Sequence, residues 1–509
     1  MFKIGPANYA LSRRVQTFDA FISRDWRASH HAKFLCLTII HNSPAAAIAS
    51  FLASCLLGVF VLCEVMDDDL ALLLTPLCVV TFYIVLFSWQ WIRCLIRRPV
   101  MLFLDKFCIV QHIEELKMKG ILGLGVFLLQ SKNLLVLWSP QYFSRLWCTY
   151  ELVTFLKDQP WHDAVTFMPV KMSYLLLLFS AFWHLTVFTY YLLQEWLDIL
   201  IGNDEADGMF LTYLLVLVVG LVCIVIPFVN YLGIELMSDL EILPEQLSSF
   251  RIQDASCFCC SNEHIHPVSG RSLPCDRQLV HETLHSWRSQ ADGHTEAGPA
   301  LAEDPEETLE FFNALVQTRL SEVVLQSMRG TFPVKYVLYM TCVCTFPFIA
   351  VYISRGIMKM LEGPDLEDGE EEEAEEVMVA PRRMLRGFCQ ATYPVLVILF
   401  AARGFQPLLK LGLSMQKLVP RAAASFLLAP ATLFVTILTW FPFEYTMLRT
   451  DEQEESLLWL FPYLVMLLVT VCAYCHGPFL AKPKTLQVGK AKCEPGREKE
   501  EDEESTVSL

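Results

Sequence analysis

The sequence predicts an α-helical polytopic membrane protein with about eight spans and an α/β domain, whose parallel sheet of about four strands is flanked by helices. Hydrophobic residues make up 54% of the 509 residues and charged residues only 18%, whereas soluble proteins have about 45–50% apolar and about 25% charged residues. The excess is concentrated in long apolar runs. The segments between these runs alternate strand-like and helix-like patterns.

Eight apolar runs reach or approach the roughly 20 residues that a helix needs to cross a bilayer. They are Pro44–Cys63, Leu70–Ile92, Met172–Leu193, Met209–Leu232, Tyr336–Ile353, Gly387–Ala402, Ala422–Phe443 and Leu457–Cys475. The fifth is short, and charged residues bracket the sixth. The pattern predicts an integral, multi-pass protein of the plasma membrane or an internal membrane, with the lipid bilayer as its first partner.

Lys and Arg orient these spans, because cytoplasmic loops are enriched in both residues. Arg93, Arg97 and Arg98 follow the second span, and further basic residues follow the sixth and eighth. These loops are therefore predicted to be cytoplasmic. The acidic loop 357–385 falls on the opposite side, and its run Glu370–Glu376 is typical of a solvated linker.

Two soluble segments, 15–40 and 98–171, share the predicted cytoplasmic side and are separated by a transmembrane hairpin, 37–97. Their alternation of strands and helices favours one parallel sheet. The predicted strands are Thr17–Ile22, Val100–Leu104, Leu134–Trp138 and Val165–Met168, and the predicted helices are His30–Ile40, Ile113–Leu129 and Ser144–Leu156. The last strand ends just before the span at Met172, so either the sheet lies tilted against the bilayer or this segment is not part of it.

The rest of the chain divides at the predicted spans. A second hairpin occupies 172–235, and a cytoplasmic region containing Cys and His occupies 236–333. Four further spans occupy 334–480, and 481–509 is a charged tail with the composition of a disordered segment.

Two motifs resemble a known domain family. FDAFISRDW, at Phe18–Trp26, and LWSPQYFSRLWCTYEL, at Leu137–Leu152, resemble the first and third sequence boxes of the Toll/interleukin receptor (TIR) domain family. The family has five strands where four are found here. The resemblance implies a signalling domain that self-associates, with the loop Cys108–Glu115 as its mobile loop after the second strand.

The same resemblance implies an active site. In TIR-family enzymes, a glutamate on the helix after the third strand helps to cleave the nicotinamide–ribose bond of NAD, and Glu151 matches its position. A carboxylate suits this chemistry, because glycosidic cleavage passes through an oxocarbenium-like state.

Further site residues follow from the same match. Arg24 and Arg27 would approach the nucleotide, Ser139 would form the crevice floor, and Trp147 would border the cofactor. Many family members are adaptors that only self-associate. In that alternative Glu151 has no catalytic role and Trp147 is a packing residue.

A second cluster lies in CFCCSNEHIHPVSGRSLPCDR. Its candidate ligands are Cys257, Cys259, Cys260, His264, His266 and Cys275. Thiolates and imidazoles joined by a Gly-containing turn are typical of structural zinc, although the spacing fits no standard finger. A palmitoylated cysteine patch is the alternative.

The sequence thus predicts a membrane-anchored signalling or scaffold protein that acts through its TIR-like domain, with NAD hydrolysis as an added activity. The competing hypothesis is a transporter or receptor whose bundle does the work and whose α/β domain regulates it. The formal charge of −16 disfavours nucleic acid as a partner, because phosphate binding requires a basic face.

Overall fold

The structure is a computed structural model. It describes residues 9–96, 99–110, 112–158, 164–201, 216, 220–265, 267, 270–291, 305–322, 324, 334–362, 370–449 and 456–475. The predicted tail 481–509 and most of the first half of the predicted span Met209–Leu232 lie outside the described residues.

Four parallel strands form the sheet, in the order β2-β1-β3-β4. They are β1 (Ala20–Arg24), β2 (Leu102–Phe103), β3 (Leu134–Trp138) and β4 (Val165–Pro169). β1 pairs with β3 from Phe21 opposite Leu134 to Arg24 opposite Leu137, so strands from the two sides of the first hairpin lie next to each other. The predicted four-stranded parallel sheet is confirmed, and β4 pairs with β3 along its whole length.

Sixteen α-helices are found among the described residues. In chain order they are α1 (His30–Leu62), α2 (Asp68–Leu95), α3 (Asp105–Cys108), α4 (Glu114–Leu122), α5 (Leu124–Leu129), α6 (Leu146–Asp158), α7 (Val170–Ile201), α8 (Ile226–Ser248), α9 (Phe258–Ser261), α10 (Asp276–Ala291), α11 (Pro305–Leu315), α12 (Val334–Thr341), α13 (Phe346–Glu362), α14 (Glu370–Met415), α15 (Arg421–Arg449) and α16 (Leu460–Cys475). The predicted helix Ile113–Leu129 is broken at Gly123, because glycine is a poor helix former.

Six of these helices are long and apolar enough to cross a membrane, and a bent pair, Lys335–Cys344 with Phe346–Met358, makes a seventh if it counts as one span. This is fewer than the eight predicted, because the last predicted span forms only the shorter apolar helix Leu460–Tyr474. Their outward faces carry exposed apolar side chains, including Ile84, Trp91 and Phe434. Such apolar surface is rare on soluble monomers and supports a multi-pass membrane protein.

The predicted acidic linker is also helical. Glu370–Glu376 opens α14, which runs without interruption through the weakest predicted span, Gly387–Ala402. Glutamate is a good helix former, which favours a helix at this acidic run.

Helix α1 has two environments. It joins the predicted soluble helix and the first predicted span into one continuous helix. Ala32, Cys36 and Ile39 near its start are buried in the same hydrophobic cluster as Ile22 and Leu137 of the sheet. That cluster continues among the long helices, where it includes Phe82, Tyr393 and Phe443. One face of the sheet and the interior of the bundle therefore share a single core.

Helix α7 follows β4 without a linker. Its Ser173 Oγ donates to the Ala32 carbonyl of α1 at 3.2 Å. Lys171 Nζ lies 2.7 Å from Glu235 Oε1 and 2.8 Å from Asp239 Oδ2. These contacts join the edge of the sheet to α1 and α8, so the bundle is attached to the sheet at both α1 and α7.

The second face of the sheet is covered by α5, by α6 and by parts of the region predicted as a separate unit at 236–333. Phe21, Leu134 and Val136 of the strands share a hydrophobic cluster with Leu243 of α8 and Phe312 of α11. The region after α8 therefore packs on the α/β unit and enlarges its core.

Phe103 tests the packing between β1, which precedes the first transmembrane hairpin, and the segment of the α/β unit that follows it. Its ring is fully buried and stacks on Phe21, with ring centroids 4.6 Å apart, and on Phe127, with ring centroids 4.8 Å apart. We expect Phe103→Ala to destabilise the α/β unit by about 3–5 kcal/mol, because it removes a large buried side chain and leaves a cavity. Thermal unfolding of the purified protein in detergent measures this change. Lys119→Ala, on the exposed surface of α4, is the control, and equal midpoints for the two variants would contradict the prediction.

Candidate functional site

Polar side chains collect at the carboxyl edge of the sheet, between β1 and β3. In a doubly wound sheet of order 2-1-3-4, this is the switch point where a ligand crevice forms. Ser23 and Arg24 end β1, Ser139 follows β3, and Asp105 opens α3 directly after β2. Helix α6 returns along the sheet and brings Glu151 to the same edge.

Glu151 is held by a chain of hydroxyl groups. Ser23 Oγ donates to Glu151 Oε2 at 2.6 Å and lies 2.5 Å from the Tyr142 hydroxyl. Tyr142 in turn donates to the Cys148 carbonyl at 3.2 Å. Ser23 and Tyr142 are fully buried, whereas Glu151 keeps partial exposure. The carboxyl group is thus fixed by a hydroxyl group from the protein side, on a residue that is itself partly exposed.

The surroundings of Glu151 favour its neutral form. Burial raises the pKa of Glu151 from 4.5 to about 8, and the nearby charge of Asp105 adds to this, while the Ser23 hydrogen bond and Arg24 oppose it. Most Glu151 side chains are therefore protonated at neutral pH in the free protein. Perturbed carboxyl groups of this kind are concentrated at functional sites.

A second carboxylate organises the other side of the edge. Asp25 is nearly fully buried and accepts hydrogen bonds from the Ser139 hydroxyl at 3.2 Å and the Arg27 backbone N–H at 3.1 Å. The guanidinium Nε of Arg145 lies 3.9 Å from Asp25 Oδ1, and Lys33 Nζ donates to the Asp25 carbonyl at 3.0 Å. The carboxyl edge therefore combines buried acids with several cations.

The predicted site residues are placed unequally. Arg24 lies beside Asp105, with Nη2 3.4 Å from Oδ1, and the Arg27 guanidinium reaches Gln141 at 3.4 Å. Trp147 lies on another side of α6, where its indole Nε1 donates to Asp276 at 3.3 Å. The structure thus brings Arg24, Arg27 and Ser139 to the edge that holds Glu151 and places Trp147 away from it.

Several residues of this edge are absent from the sequence-based set, among them Ser23, Asp25, Asp105 and Tyr142. Ser23 and Asp25 flank Arg24, and Asp105 directly follows the predicted strand Val100–Leu104. A search for polar residues at the carboxyl ends of all the predicted strands would have found Ser23 and Asp105. Tyr142 carries no such signal, because its position depends on the fold of the loop after β3.

Four residues of the second cluster converge. The potential ligand atoms of Cys259, Cys260, His264 and Cys275 all lie within 4.8 Å of one another and could hold a metal ion. Cys257 lies beside this group, with its Sγ 3.5 Å from that of Cys259. His266 lies outside the described residues.

The backbone between these ligands is built around a tight turn. Glu263 and His264 both have a left-handed conformation, with φ of 52° and 60°, and the His264 N–H donates to the Cys259 carbonyl at 2.8 Å. Cys275 stands immediately before α10. Burial opposes its ionisation, but the N–H groups of Gln278 and Arg277 lower the pKa of the Cys275 thiol. Helix N-termini favour anions such as a thiolate in this way.

A cavity lies within the bundle, away from both clusters. Its walls come from α7, α8, α12, α14 and α15 and are almost entirely apolar, with Asn230 and Thr432 as the polar exceptions. Asn230 Nδ2 and Thr432 Oγ1 are hydrogen-bonded to each other at 3.3 Å. The space therefore suits an apolar occupant.

Comparison of the chain with protein-family models, with curated proteins and with solved structures found no match. The two clusters and the long apolar helices are the features of the chain that bear on its function.

The raised pKa of Glu151 predicts a pH-dependent stability. Between pH 4.5 and about 8, the folded protein keeps a proton on Glu151 that the unfolded chain releases, so stability falls as the pH rises through this window. Glu151→Gln removes this titration. We expect the variant's advantage in thermal midpoint over the wild type to grow from pH 5 to pH 8 and then to level off.

The matched control for this measurement is Glu115→Gln, on the exposed surface of α4. Its melting curves should follow those of the wild type across the same pH range. A Glu151→Gln variant whose midpoint runs parallel to the wild type would show that Glu151 ionises as freely as an exposed glutamate.

Proposed function

We propose that the protein is a membrane-anchored signalling or scaffold protein that acts through a cytoplasmic TIR-like domain with NAD nucleosidase activity. The observation that carries this proposal is the Glu151 carboxyl group, held by Ser23 at the switch point of a 2-1-3-4 parallel sheet. The motifs around Phe18–Trp26 and Leu137–Leu152 supply the strands and the helix that form this edge. The basic loops supply the cytoplasmic orientation.

Self-association would occur through the α/β domain. The outer surface of α4 and α5 exposes Leu122, Val126 and Leu129, each more than half accessible, while Leu124 and Leu128 face the core. An exposed apolar strip of this kind is typical of an interaction surface. Two copies anchored in one membrane would meet with their domains at the same height.

The chemistry proposed for Glu151 is cleavage of the nicotinamide–ribose bond. The bond between ribose C1′ and the nicotinamide nitrogen breaks, and its electron pair leaves with nicotinamide. An ionised Glu151 would stabilise the oxocarbenium-like sugar. Water then adds to C1′ and releases its proton, giving ADP-ribose and nicotinamide. The cationic nicotinamide ring of bound NAD favours the ionised carboxylate that this step requires.

The cations at the carboxyl edge would hold the diphosphate of NAD. Arg27 is exposed and contacts Gln141 in the loop after β3, and Arg24 lies beside Asp105 of α3. A guanidinium group can donate two parallel hydrogen bonds to a phosphate. Arg24 and Arg27 would therefore both contribute to substrate binding in this proposal. Ser139, which is anchored to Asp25, fixes the floor between them.

Glu151→Gln tests the catalytic role. We expect it to lower NAD hydrolysis by the purified full-length protein by about 100-fold or more, because it removes the charge that stabilises the transition state. At NAD concentrations well below KM, where the rate reports the free protein, wild-type hydrolysis should rise with pH up to about 8 as Glu151 ionises. Chromatographic detection of nicotinamide measures both effects.

The control for this assay is again Glu115→Gln, which should retain wild-type turnover. Unchanged turnover in Glu151→Gln would remove the catalytic role. A wild-type protein that oligomerises but releases no nicotinamide would support an adaptor in which Glu151 is structural.

The bundle supports a second candidate function, a transporter or receptor regulated by the α/β domain. The apolar cavity between α7, α8, α12, α14 and α15 and the 53° bend between α12 and α13 favour it. Substitutions that line the cavity, such as Ala402→Phe, would then abolish function while Glu151→Gln would not.

We further propose that the Cys/His cluster binds structural zinc. A zinc–sulfur bond of about 2.3 Å in tetrahedral geometry sets neighbouring sulfurs about 3.8 Å apart. The Sγ atoms of Cys259 and Cys260 are 3.9 Å apart, and those of Cys260 and Cys275 are 3.8 Å apart. With His264 as the fourth ligand, the set matches the Cys₃His class of structural zinc sites.

Elemental analysis of protein purified without chelator tests this set, with about one zinc per chain as the expected result. His264→Ala should lose most of the metal, because a tetrahedral site needs its fourth ligand. Cys257→Ser should keep it, because Cys257 lies outside the four-ligand group. Protein with no bound metal would overturn the proposal, and metal loss in Cys257→Ser would overturn the ligand set.

A further inference from the structure

We infer that a metal ion bound by Cys259, Cys260, His264 and Cys275 holds the start of helix α6 in place and thereby positions Glu151. The mechanical link stands on contacts between the metal-binding segment and α6. Only its consequence for NAD cleavage depends on the function proposed above. In this role metal binding controls the position of Glu151, and the metal ligands are positioning residues.

The first contact is a short backbone pairing. The Ser256 N–H donates to the Ser144 carbonyl at 2.7 Å, and the Leu146 N–H donates to the Ser256 carbonyl at 3.2 Å. The first N–H groups of a helix have no partner within the helix. Ser256 therefore provides a cap for α6 from a segment that lies more than 100 residues away in sequence.

The second contact joins α6 to a residue bonded to a ligand. Trp147 Nε1 donates to Asp276 Oδ2 at 3.3 Å. The backbone N–H of Asp276 donates to Cys259 Sγ at 3.1 Å. A single residue next to Cys275 thus connects the indole on the first turn of α6 to the sulfur of Cys259.

The segment between Ser256 and Asp276, the first residue of α10, has little regular structure of its own. Helix α9 is only four residues long, and the turn after it contains two left-handed residues other than glycine. The Arg277 guanidinium donates to the Ala255 carbonyl at 2.9 Å and closes the segment on itself. A short segment of this kind gains much of its order from a bound metal, so metal binding determines how firmly Ser256 and Asp276 hold α6.

Helix α6 passes this restraint to the carboxyl edge. Glu151 lies five residues after Leu146, less than two turns along a rigid helix. Between them, the Cys148 thiol donates to the Arg24 carbonyl at 3.4 Å. A shift at the start of α6 therefore moves Glu151 relative to Ser23, and the 2.6 Å hydrogen bond between them tolerates little displacement.

Hydrogen–deuterium exchange of the full-length protein in detergent tests the link without an activity assay. We expect removal of the metal with a zinc chelator to speed exchange in peptides covering Ser144–Glu151 by about tenfold or more. Exchange in the β3 peptide Leu134–Trp138 should stay unchanged, and adding zinc back should restore the original rate. Cys275→Ser should reproduce the effect of the chelator.

The control variant is Cys55→Ser, an exposed cysteine on α1, which should behave as the wild type. Metal loss without faster exchange at Ser144–Glu151 would overturn the inference, and so would protein that carries no metal. Chelation that speeds exchange in a protein lacking NAD turnover would keep the link and reject the catalytic proposal, so the two failures are distinguishable.

Discussion

The architecture depends on one helix that must satisfy two surroundings. The first turns of α1 cover the sheet with Ala32, Cys36 and Ile39, and the remainder is long and apolar enough to cross a membrane. Pro44 lies in the middle of this helix without ending it. The Ser43 hydroxyl donates to the Ile39 carbonyl at 2.6 Å, and hydroxyl groups of this kind commonly accompany proline in membrane helices. Because the helix is continuous, the sheet cannot move relative to the bundle without disturbing their shared core.

A second set of contacts strengthens this attachment. Lys171, at the start of α7, forms ion pairs with Glu235 and Asp239 of α8. Arg421, at the start of α15, has its Nη1 atom 3.6 Å from Glu235. Lys171 and Arg421 lie at the starts of α7 and α15, whereas Glu235 and Asp239 lie within α8. All four side chains are partly buried, which makes their ion pairs stronger than on an open surface. The bundle and the α/β unit therefore meet through both apolar packing and ion pairs. A change of helix packing in the bundle would reach the end of β4 directly.

The fold around the candidate site changes the pKa of the Glu151 carboxyl group. Ser23 is buried by the strands on either side of it, and Tyr142 is buried by the loop after β3, so the Glu151 carboxyl group meets hydroxyls and another acid in place of water. This environment raises its pKa to about 8. The Cys/His cluster lies on the other side of α6. It is connected to the first turn of α6 through Asp276, which is hydrogen-bonded to both Trp147 and Cys259. Helix α6 thus stands between two clusters of chemically active residues, and each restrains it from one side.

Much of this could be predicted from local sequence. Apolar runs of sufficient length indicate membrane helices regardless of their neighbours, because the bilayer requires an apolar surface and satisfied backbone groups. The alternation around Leu134–Trp138 predicted the strand bounds found in the structure, and the resemblance to the TIR motifs implied one candidate site containing Glu151, Arg24 and Ser139. The errors were at junctions: Gly387–Ala402 and Glu370–Glu376 merged into one helix, and Leu457–Cys475 shortened to α16. Helix continuity depends on packing partners that a window of residues does not contain.

The sequence by itself determined which segments seek an apolar environment and which residue types could perform chemistry, since both are properties of side chains and their local order. Only the tertiary structure decided that Phe21 pairs with Leu134, that Ser23 and Tyr142 surround Glu151, and that Trp147 turns to Asp276. The physical reason is that these contacts join residues separated by more than 100 positions. Such contacts form only when burial of the common core brings the two sides of the first hairpin and the segment after α8 together.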